Sequence, residues 1–249
     1  MRKKIIISII LFVIVIIIIS NFFDSNIDGK KIVFIGDSIM AGYGNNQKSF
    51  EYYFKEALPN SELLNLAKGG ATISTNSPSQ LVIKNQVQEI TGSPDIILFE
   101  GGANDIIDYA IGFLDKSLEK PIGTVDITTK SLPPDTENTV MADFEELIIT
   151  LQRKFPEAKL CYLQIFLVDD TTINNITLDE SKKPEIRQRR DELYAQVKLA
   201  CQKWNVSYID VSDKFIDTGI NYRQEDWIHI NEIGYERLTP YILEKLKEI

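Results

Sequence analysis

The sequence predicts an α/β domain in which a five-stranded parallel sheet lies between two layers of helices. Short apolar runs that suit buried strands alternate along the chain with longer amphipathic segments that suit helices. Strands that are joined through helices in this way run parallel, and the helices cover both faces of the sheet. A chain of 249 residues with 44% hydrophobic side chains can bury one full-sized core.

Five short segments have the apolar, β-branched and aromatic content of strands. The clearest is the first, where four apolar residues precede Gly36, Asp37 and Ser38. A serine just beyond the carboxyl end of a central strand lies where open α/β sheets form their sites. The predicted strands cover residues 32–35, 62–66, 95–100, 160–166 and 207–211.

Apolar side chains at helical spacing predict helices between and after these strands. Asn231 is the predicted N-cap of the last helix, which Pro240 is expected to kink or restart. Residues 106–135 contain several glycines and prolines and are predicted to form an irregular insertion over the site. The predicted helices cover residues 47–58, 77–90, 137–155, 184–204 and 231–249.

Residues 1–23 form a separate segment that predicts a transmembrane signal anchor. Three basic residues, Arg2, Lys3 and Lys4, precede nineteen positions that are almost entirely apolar. As a helix these span about 28 Å, which is one bilayer core. The basic flank predicts a cytoplasmic amino terminus and an extracytoplasmic domain at residues 31–249, joined by a short tether at 24–30. A cleaved signal peptide, and hence a secreted protein, is the alternative.

Charge and composition exclude several classes of function. The formal net charge of −9 disfavours a nucleic-acid partner. One histidine and two distant cysteines cannot build a zinc site of several His or Cys ligands. The glycines at 42 and 44 lack the third glycine of a dinucleotide fingerprint, and the chain has no phosphate-loop motif. The sequence therefore predicts neither a cofactor nor a metal ion.

The candidate site residues follow separate strands and meet at one edge of the sheet. Ser38, Gly70 and Asn104 follow the first, second and third strands, and His229 follows the fifth. Because the strands are parallel, the ends that carry these residues share one edge. Their types are those that acyl transfer requires: a nucleophile, a base, and hydrogen-bond donors for an oxyanion.

Each of these residues has a predicted role. His229 is the one imidazole available to deprotonate Ser38, and Asp226 is close enough in sequence to orient it. The oxyanion donors would be the backbone N–H groups of Ser38 and Gly70 and the side-chain amide of Asn104. Gly69 is an alternative to Gly70. Two neighbouring acids are assigned structural roles: Asp37 in the turn and Asp105 as a helix cap.

These blocks resemble the SGNH hydrolases, also called GDSL esterases and lipases. The matching pieces are Gly36-Asp37-Ser38, Gly70 with its neighbours, Gly102-Ala103-Asn104-Asp105, and Asp226 to His229. They occur in the family's order over about residues 30–249. The resemblance implies a flavodoxin-like sheet, with Ser38 as nucleophile, Gly70 and Asn104 as oxyanion donors, and His229 as base with Asp226. The insertion at 106–135 matches no pattern of the family.

The sequence thus predicts a membrane-anchored extracytoplasmic serine esterase that acts on acyl esters, including acetyl esters, of carbohydrates or small molecules. A lipase or acyltransferase with the same serine is the alternative within enzymes. A non-catalytic carbohydrate-binding module on this fold is the alternative from another class. Cys161 and Cys201 are expected to be buried hydrophobic residues, with a disulfide as the alternative. The oligomeric state is left open.

Overall fold

The sheet has five strands, all parallel, in the order β2-β1-β3-β4-β5. This confirms the predicted sheet and the flavodoxin-like strand order. Its bounds are β1 Lys31–Ile35, β2 Glu62–Asn65, β3 Ile96–Phe99, β4 Lys159–Gln164 and β5 Ser207–Asp210. The computed structural model describes residues 27–76, 81–110, 140–165, 180–215, 222–226 and 228–249.

The order of the strands reverses at β1, which has β2 on one side and β3 on the other. Val33 of β1 pairs with Leu64 of β2 and with Ile97 of β3. The chain leaves β1 towards one side of the sheet and returns after β2 to the other. A crevice therefore opens beyond the carboxyl ends of β1 and β3, where the candidate residues lie.

Alternate side chains of the strands enter two separate cores, which makes the three layers. The helices are α1 Ser38–Ala41, α2 Phe50–Ala57, α3 Ile83–Gln86, α4 Ala103–Ala110, α5 Val140–Lys154, α6 Lys183–Lys203 and α7 Glu232–Lys247. Val33 and Ile35 pack into the core under α5 and α6, and Ile32 and Phe34 pack into the core under α2 and α7.

The predicted helix at residues 77–90 is helical over 83–89 but wrong at its first described residues, 81 and 82. Leu81 and Val82 are extended, because the N–H of Thr72 donates to the carbonyl of Leu81 at 2.8 Å and the N–H of Ile83 donates to that of Thr72. Leu81 is consequently exposed rather than buried. Only α3 and a 3-10 turn at Val87–Glu89 are helical, and residues 77–80 lie outside the described ranges.

Two further expectations concern single segments. Residues 106–110 are not irregular as predicted but continue α4, and residues 111–135 of the predicted insertion lie outside the described ranges. The side chain of Asn231 caps α7 as predicted, since its amide oxygen accepts from the N–H of Gly234 at 2.9 Å. Pro240 lies inside α7, and the helix continues past it without a restart.

The described part of the chain contains no helix that is long and apolar enough to cross a membrane. The predicted anchor at 1–23 lies outside the described residues, as do residues 24–26 of the tether.

Cys161 and Cys201 are both buried and unbonded. They belong to different cores, Cys161 facing α7 and Cys201 facing the sheet from α6. The structure therefore contains the two buried thiols and not the alternative disulfide.

Candidate active site

The turn that carries Ser38 is built by the acid before it. Oδ1 of Asp37 accepts from the N–H of Ile39 at 2.8 Å and so caps the short helix α1. Gly42 ends this helix in the left-handed conformation at φ 77°. Ser38 is thereby held at the first position after the cap, at the carboxyl end of β1, with 7% of its surface exposed. This bears out the structural role expected for Asp37.

Ser38, His229 and Asp226 form one chain of hydrogen bonds. Nε2 of His229 lies 2.9 Å from Oγ of Ser38, and Nδ1 lies 2.5 Å from Oδ2 of Asp226. Because a carboxylate only accepts, Nδ1 carries a proton and Nε2 of the neutral ring is left to accept from the serine hydroxyl. The arrangement can deprotonate Ser38 as it attacks a carbonyl carbon.

Asp226 is fixed by the backbone of its own turn and remains ionised. Its Oδ1 accepts from the N–H groups of Ile228 and His229 at 3.0 and 2.9 Å. Burial raises the pKa of Asp226, but the hydrogen bonds from His229 and from the backbone outweigh it, so the pKa lies below its usual value. The carboxylate is therefore charged at neutral pH and stabilises an imidazolium at His229.

The loop that carries His229 is joined to the loop after α1. The N–H of Gln224 donates to the carbonyl of His229 at 2.9 Å, and its side-chain amide donates to the carbonyl of Tyr43 at 3.0 Å. A Cβ on Gly44 would lie 2.2 Å from Oε1 of Gln224, so a glycine is needed for this approach. The ring of Tyr43 lies 4.8 Å from that of His229 and is 61% exposed. Tyr43 therefore forms part of the rim of the site.

The loop after β2 lies beside the nucleophile. The N–H of Lys68 donates to the carbonyl of Gly36 at 3.1 Å, and a Cβ on Gly69 would lie 3.8 Å from that of Ser38. Gly70 follows with φ 76°, a conformation that favours glycine, and a Cβ there would contact nothing within 4 Å. The structure thus places both candidate glycines in the turn next to Ser38.

Asn104 links this loop to the nucleophile turn. It lies in the first turn of α4, after the carboxyl end of β3. Its Nδ2 donates to the carbonyl of Ala71 at 2.8 Å and to Oδ2 of Asp37 at 3.2 Å. The side-chain amide is therefore held between the loop of Gly70 and the turn of Ser38, where an oxyanion donor is required.

Asp105 does not cap a helix as predicted but anchors the loop that follows Gly70. Its two carboxylate oxygens accept from the N–H groups of Ile73 and Ser74 at 3.0 and 2.9 Å. Burial raises its pKa to about 7 despite these bonds. Asp143 of α5 adds a second anchor, because it accepts from the N–H of Thr75 at 2.7 Å. No local sequence pattern indicates these long-range partners.

Glu100 is a further residue of the site that the sequence analysis missed. It follows β3, it is 1% exposed, and its Oε1 accepts from the N–H of Asp37 at 2.7 Å. A Cβ on Gly36 would lie 2.4 Å from the same oxygen, so glycine is required at that position. An acid at the end of an otherwise apolar strand was the available signal.

Comparisons with known proteins show the family and the fold of the chain. A sequence profile of the GDSL-like lipase/acylhydrolase family matches residues 34–237. No curated protein sequence matches the chain significantly. Among solved structures, an acetyl xylan esterase from Geobacillus stearothermophilus superposes with a TM-score of 0.58 at 17% identity, over 88% of this chain and 95% of that one.

Two further structures have the same fold. A family two carbohydrate esterase from Clostridium thermocellum, solved with cellohexaose, gives a TM-score of 0.57 at 16% identity over 88% of this chain and 64% of that one. An extracellular lipase from Streptomyces rimosus gives 0.55 at 16% identity, over 85% of this chain and 99% of that one. At such identities these likenesses show the fold.

Proposed function

Because the chain belongs to the GDSL-like lipase/acylhydrolase family and is a serine ester hydrolase, we propose that it removes acyl groups, acetyl among them, from carbohydrate esters through Ser38, His229 and Asp226. The observation that carries this proposal is the continuous hydrogen-bonded chain from Asp226 through His229 to the hydroxyl of Ser38. A protein that only binds carbohydrate has no need of this series of hydrogen bonds.

In the first half-reaction Oγ of Ser38 attacks the ester carbonyl while Nε2 of His229 takes the hydroxyl proton. The new C–O bond gives a tetrahedral intermediate whose negative oxygen needs hydrogen-bond donors. The imidazolium then gives its proton to the leaving alcohol as the ester C–O bond breaks. Asp226, which is ionised, stabilises the imidazolium throughout.

The second half-reaction repeats these steps with water. Nε2 of His229 deprotonates a water molecule that attacks the acyl-serine carbonyl, and the proton then returns to Oγ of Ser38 as the acid leaves. In both half-reactions we propose that the negative oxygen accepts hydrogen bonds from the N–H groups of Ser38 and Gly70 and from Nδ2 of Asn104. For Asn104 this requires that one of its two present hydrogen bonds is exchanged for the oxyanion.

Two features of the rim support a glycan rather than an anionic lipid as the alcohol part of the substrate. Tyr43 presents an exposed ring beside His229, which suits stacking against the apolar face of a sugar. A cavity of about 470 Å³ borders Asp226 and is also lined by Glu225 and Glu232. Asp226 and Glu225 would repel a phosphate group, whereas the charge of Glu232 is paired with Lys48 at 3.3 Å. The carbohydrate esterases of the same fold support this choice.

The substrate is tested by comparing acetylated xylo-oligosaccharides with p-nitrophenyl esters of increasing acyl length. Preferential release of acetate from the glycans supports the proposal. A preference for long acyl chains would favour the lipase alternative, which the Streptomyces rimosus lipase of this fold makes the second candidate. Transfer of the acyl group to an added alcohol in preference to water would identify an acyltransferase.

We further propose that residues 1–23 anchor the enzyme in the cell membrane, with the hydrolase domain outside the cytoplasm. The apolar segment behind three basic residues is the support for this. The protein should sediment with membranes and be released from them by detergent but not by high salt. A mature protein that begins near Asp24 in the medium would contradict the anchor and favour a cleaved signal peptide.

A further inference from the structure

We propose that Glu100 is a positioning residue for the serine reaction: as a neutral acid beneath Asp37, it fixes both the turn of Ser38 and the amide of Asn104. This inference rests on the serine mechanism proposed above. Glu100 would not touch the substrate. It would act through Asp37, which contacts both functional elements.

Glu100 is built into the floor of the site. Its Oε1 accepts from the N–H of Asp37 at 2.7 Å, and Gly36 leaves just the space that the carboxyl group needs. Asp37 in turn caps the helix that begins at Ser38. The nucleophile turn is therefore attached to the end of β3 through Glu100, in addition to its own connection to β1.

Two adjacent buried carboxyl groups cannot both be ionised without a large cost. Glu100 and Asp37 are almost fully buried, and Oε2 of Glu100 has no hydrogen-bond partner within the described ranges. Burial, and after it the charge of Asp37, raises the pKa of Glu100 well above its usual value. Asp37 accepts hydrogen bonds from Ile39 and Asn104, which suit its charged form. The proton of the pair thus belongs to Glu100.

The neutral state of Glu100 matters because of Asn104. Both hydrogens of its Nδ2 are engaged, one by Ala71 at 2.8 Å and one by Asp37 at 3.2 Å. The longer of these bonds is the weaker and is the one that an oxyanion can replace. A second negative charge at Glu100 would hold Asn104 more firmly to Asp37 and would oppose the developing oxyanion. A neutral Glu100 avoids both effects.

Other ionisable groups surround the pair. His229 faces Asp37 across the site, and its positive form would favour the Asp37 carboxylate. The phenols of Tyr162, from β4, and Tyr235, from α7, approach from the two cores, and burial raises the pKa of each well above its usual value, so both stay neutral. None of these three groups is a permanent cation that would stabilise an ionised Glu100.

The experiment compares Glu100→Gln and Glu100→Leu in the full-length protein, with the exposed Glu56→Gln as a matched control. Glutamine keeps the oxygen that accepts from Asp37 and carries no charge, so we expect kcat for p-nitrophenyl acetate to stay within about threefold of wild type. Leucine removes that acceptor, and we expect kcat to fall by roughly 10²-fold while KM changes by less than about threefold.

Infrared spectroscopy supplies a readout that does not depend on activity. The difference spectrum between wild type and Glu100→Gln at neutral pH should contain the C=O stretch of a protonated carboxylic acid, which the Glu56→Gln difference should lack. Absence of this band would overturn the proposal, as would a folded Glu100→Leu variant with unchanged kcat. If Ser38→Ala keeps its turnover, the serine mechanism itself is wrong, and the infrared result separates that outcome from a failure at Glu100.

Discussion

Nε2 of His229 lies 2.9 Å from Oγ of Ser38, although 191 residues separate them in the chain. The contact depends on the position of α7, because His229 lies three residues before the start of that helix. The hydroxyl of Tyr235, in the first part of α7, donates to the carbonyl of Ile39 at 2.5 Å. Its ring packs edge-on against Phe50 at 4.8 Å. The helix that delivers the base is thus attached to the helix that delivers the nucleophile.

We expect His229→Ala and Ser38→Ala each to reduce ester turnover by a factor on the order of 10⁶, because loss of either residue costs about as much as loss of both. Asp226→Asn should cost less, on the order of 10⁴, since it leaves the imidazole in place but favours the wrong tautomer. Turnover of p-nitrophenyl acetate and labelling of Ser38 by a fluorophosphonate probe measure these effects.

The exposed Ser93→Ala and Asp213→Asn are matched controls and should retain wild-type turnover. Near-normal turnover in a folded His229→Ala variant would contradict the mechanism, because the chain has no second histidine to replace the base. In that event hydrolysis would not depend on His229, whereas absence of turnover in the wild-type protein would favour the carbohydrate-binding module.

Removal of the Asn104 amide should lower kcat by roughly 10²–10³-fold with little change in KM, because the donor acts on the oxyanion and not on the bound ester. Asn104→Ala tests this in steady-state kinetics. Asn104→Asp should be at least as slow, since it replaces the donor with an acceptor of similar size. A kcat within threefold of wild type in Asn104→Ala would remove this residue from the oxyanion site.

The strands, and the edge of the sheet that carries the site residues, could be predicted from the sequence because their signals are local. Runs such as Ile32 to Ile35 are apolar whatever their neighbours are, and parallel pairing then brings Ser38 and Asn104 to one edge. The predicted helix at 77–90 is wrong at Leu81 and Val82, because a bridge from Thr72 to Val82 overrides helical spacing there. The spacing of apolar residues along the sequence does not indicate such a bridge.

The acids around the site show the same limit. Asp226 could be predicted because its partner is three residues away. Asp105 and Glu100 could not, because their partners Ile73 and Asp37 lie 32 and 63 residues away, and become neighbours only through the order of the strands. Local sequence equally allows a helix cap at Asp105. Burial, which decides against it, is a property of the folded chain.

Asp105 should make the free energy of unfolding depend on pH between about 4 and about 7. Its pKa in the folded protein, about 7, exceeds that of an unfolded aspartate, so the native state binds the additional proton in this interval. Its contribution to stability is therefore present at low pH and is lost as the pH rises through about 7. The loss is at most about 4 kcal/mol.

The Asp105→Asn variant cannot titrate, so the difference in unfolding free energy, wild type minus variant, should decrease steadily as the pH rises over this interval. Urea unfolding at several pH values measures it, with the exposed Asp213→Asn as control. Parallel curves for wild type and Asp105→Asn would show that Asp105 is ionised in the native state throughout.

Tyr43 should set the preference for glycan substrates. Its exposed ring beside His229 can stack on a sugar that precedes the acyl group, and loss of about 1 kcal/mol of contact corresponds to a roughly fivefold higher KM. We expect Tyr43→Ala to raise KM for acetylated xylo-oligosaccharides to this extent and to leave p-nitrophenyl acetate hydrolysis unchanged, while Tyr43→Phe keeps both. Tyr52, another exposed tyrosine, is the matched control. An equal loss on both substrates would instead indicate that Tyr43 orients the His229 ring.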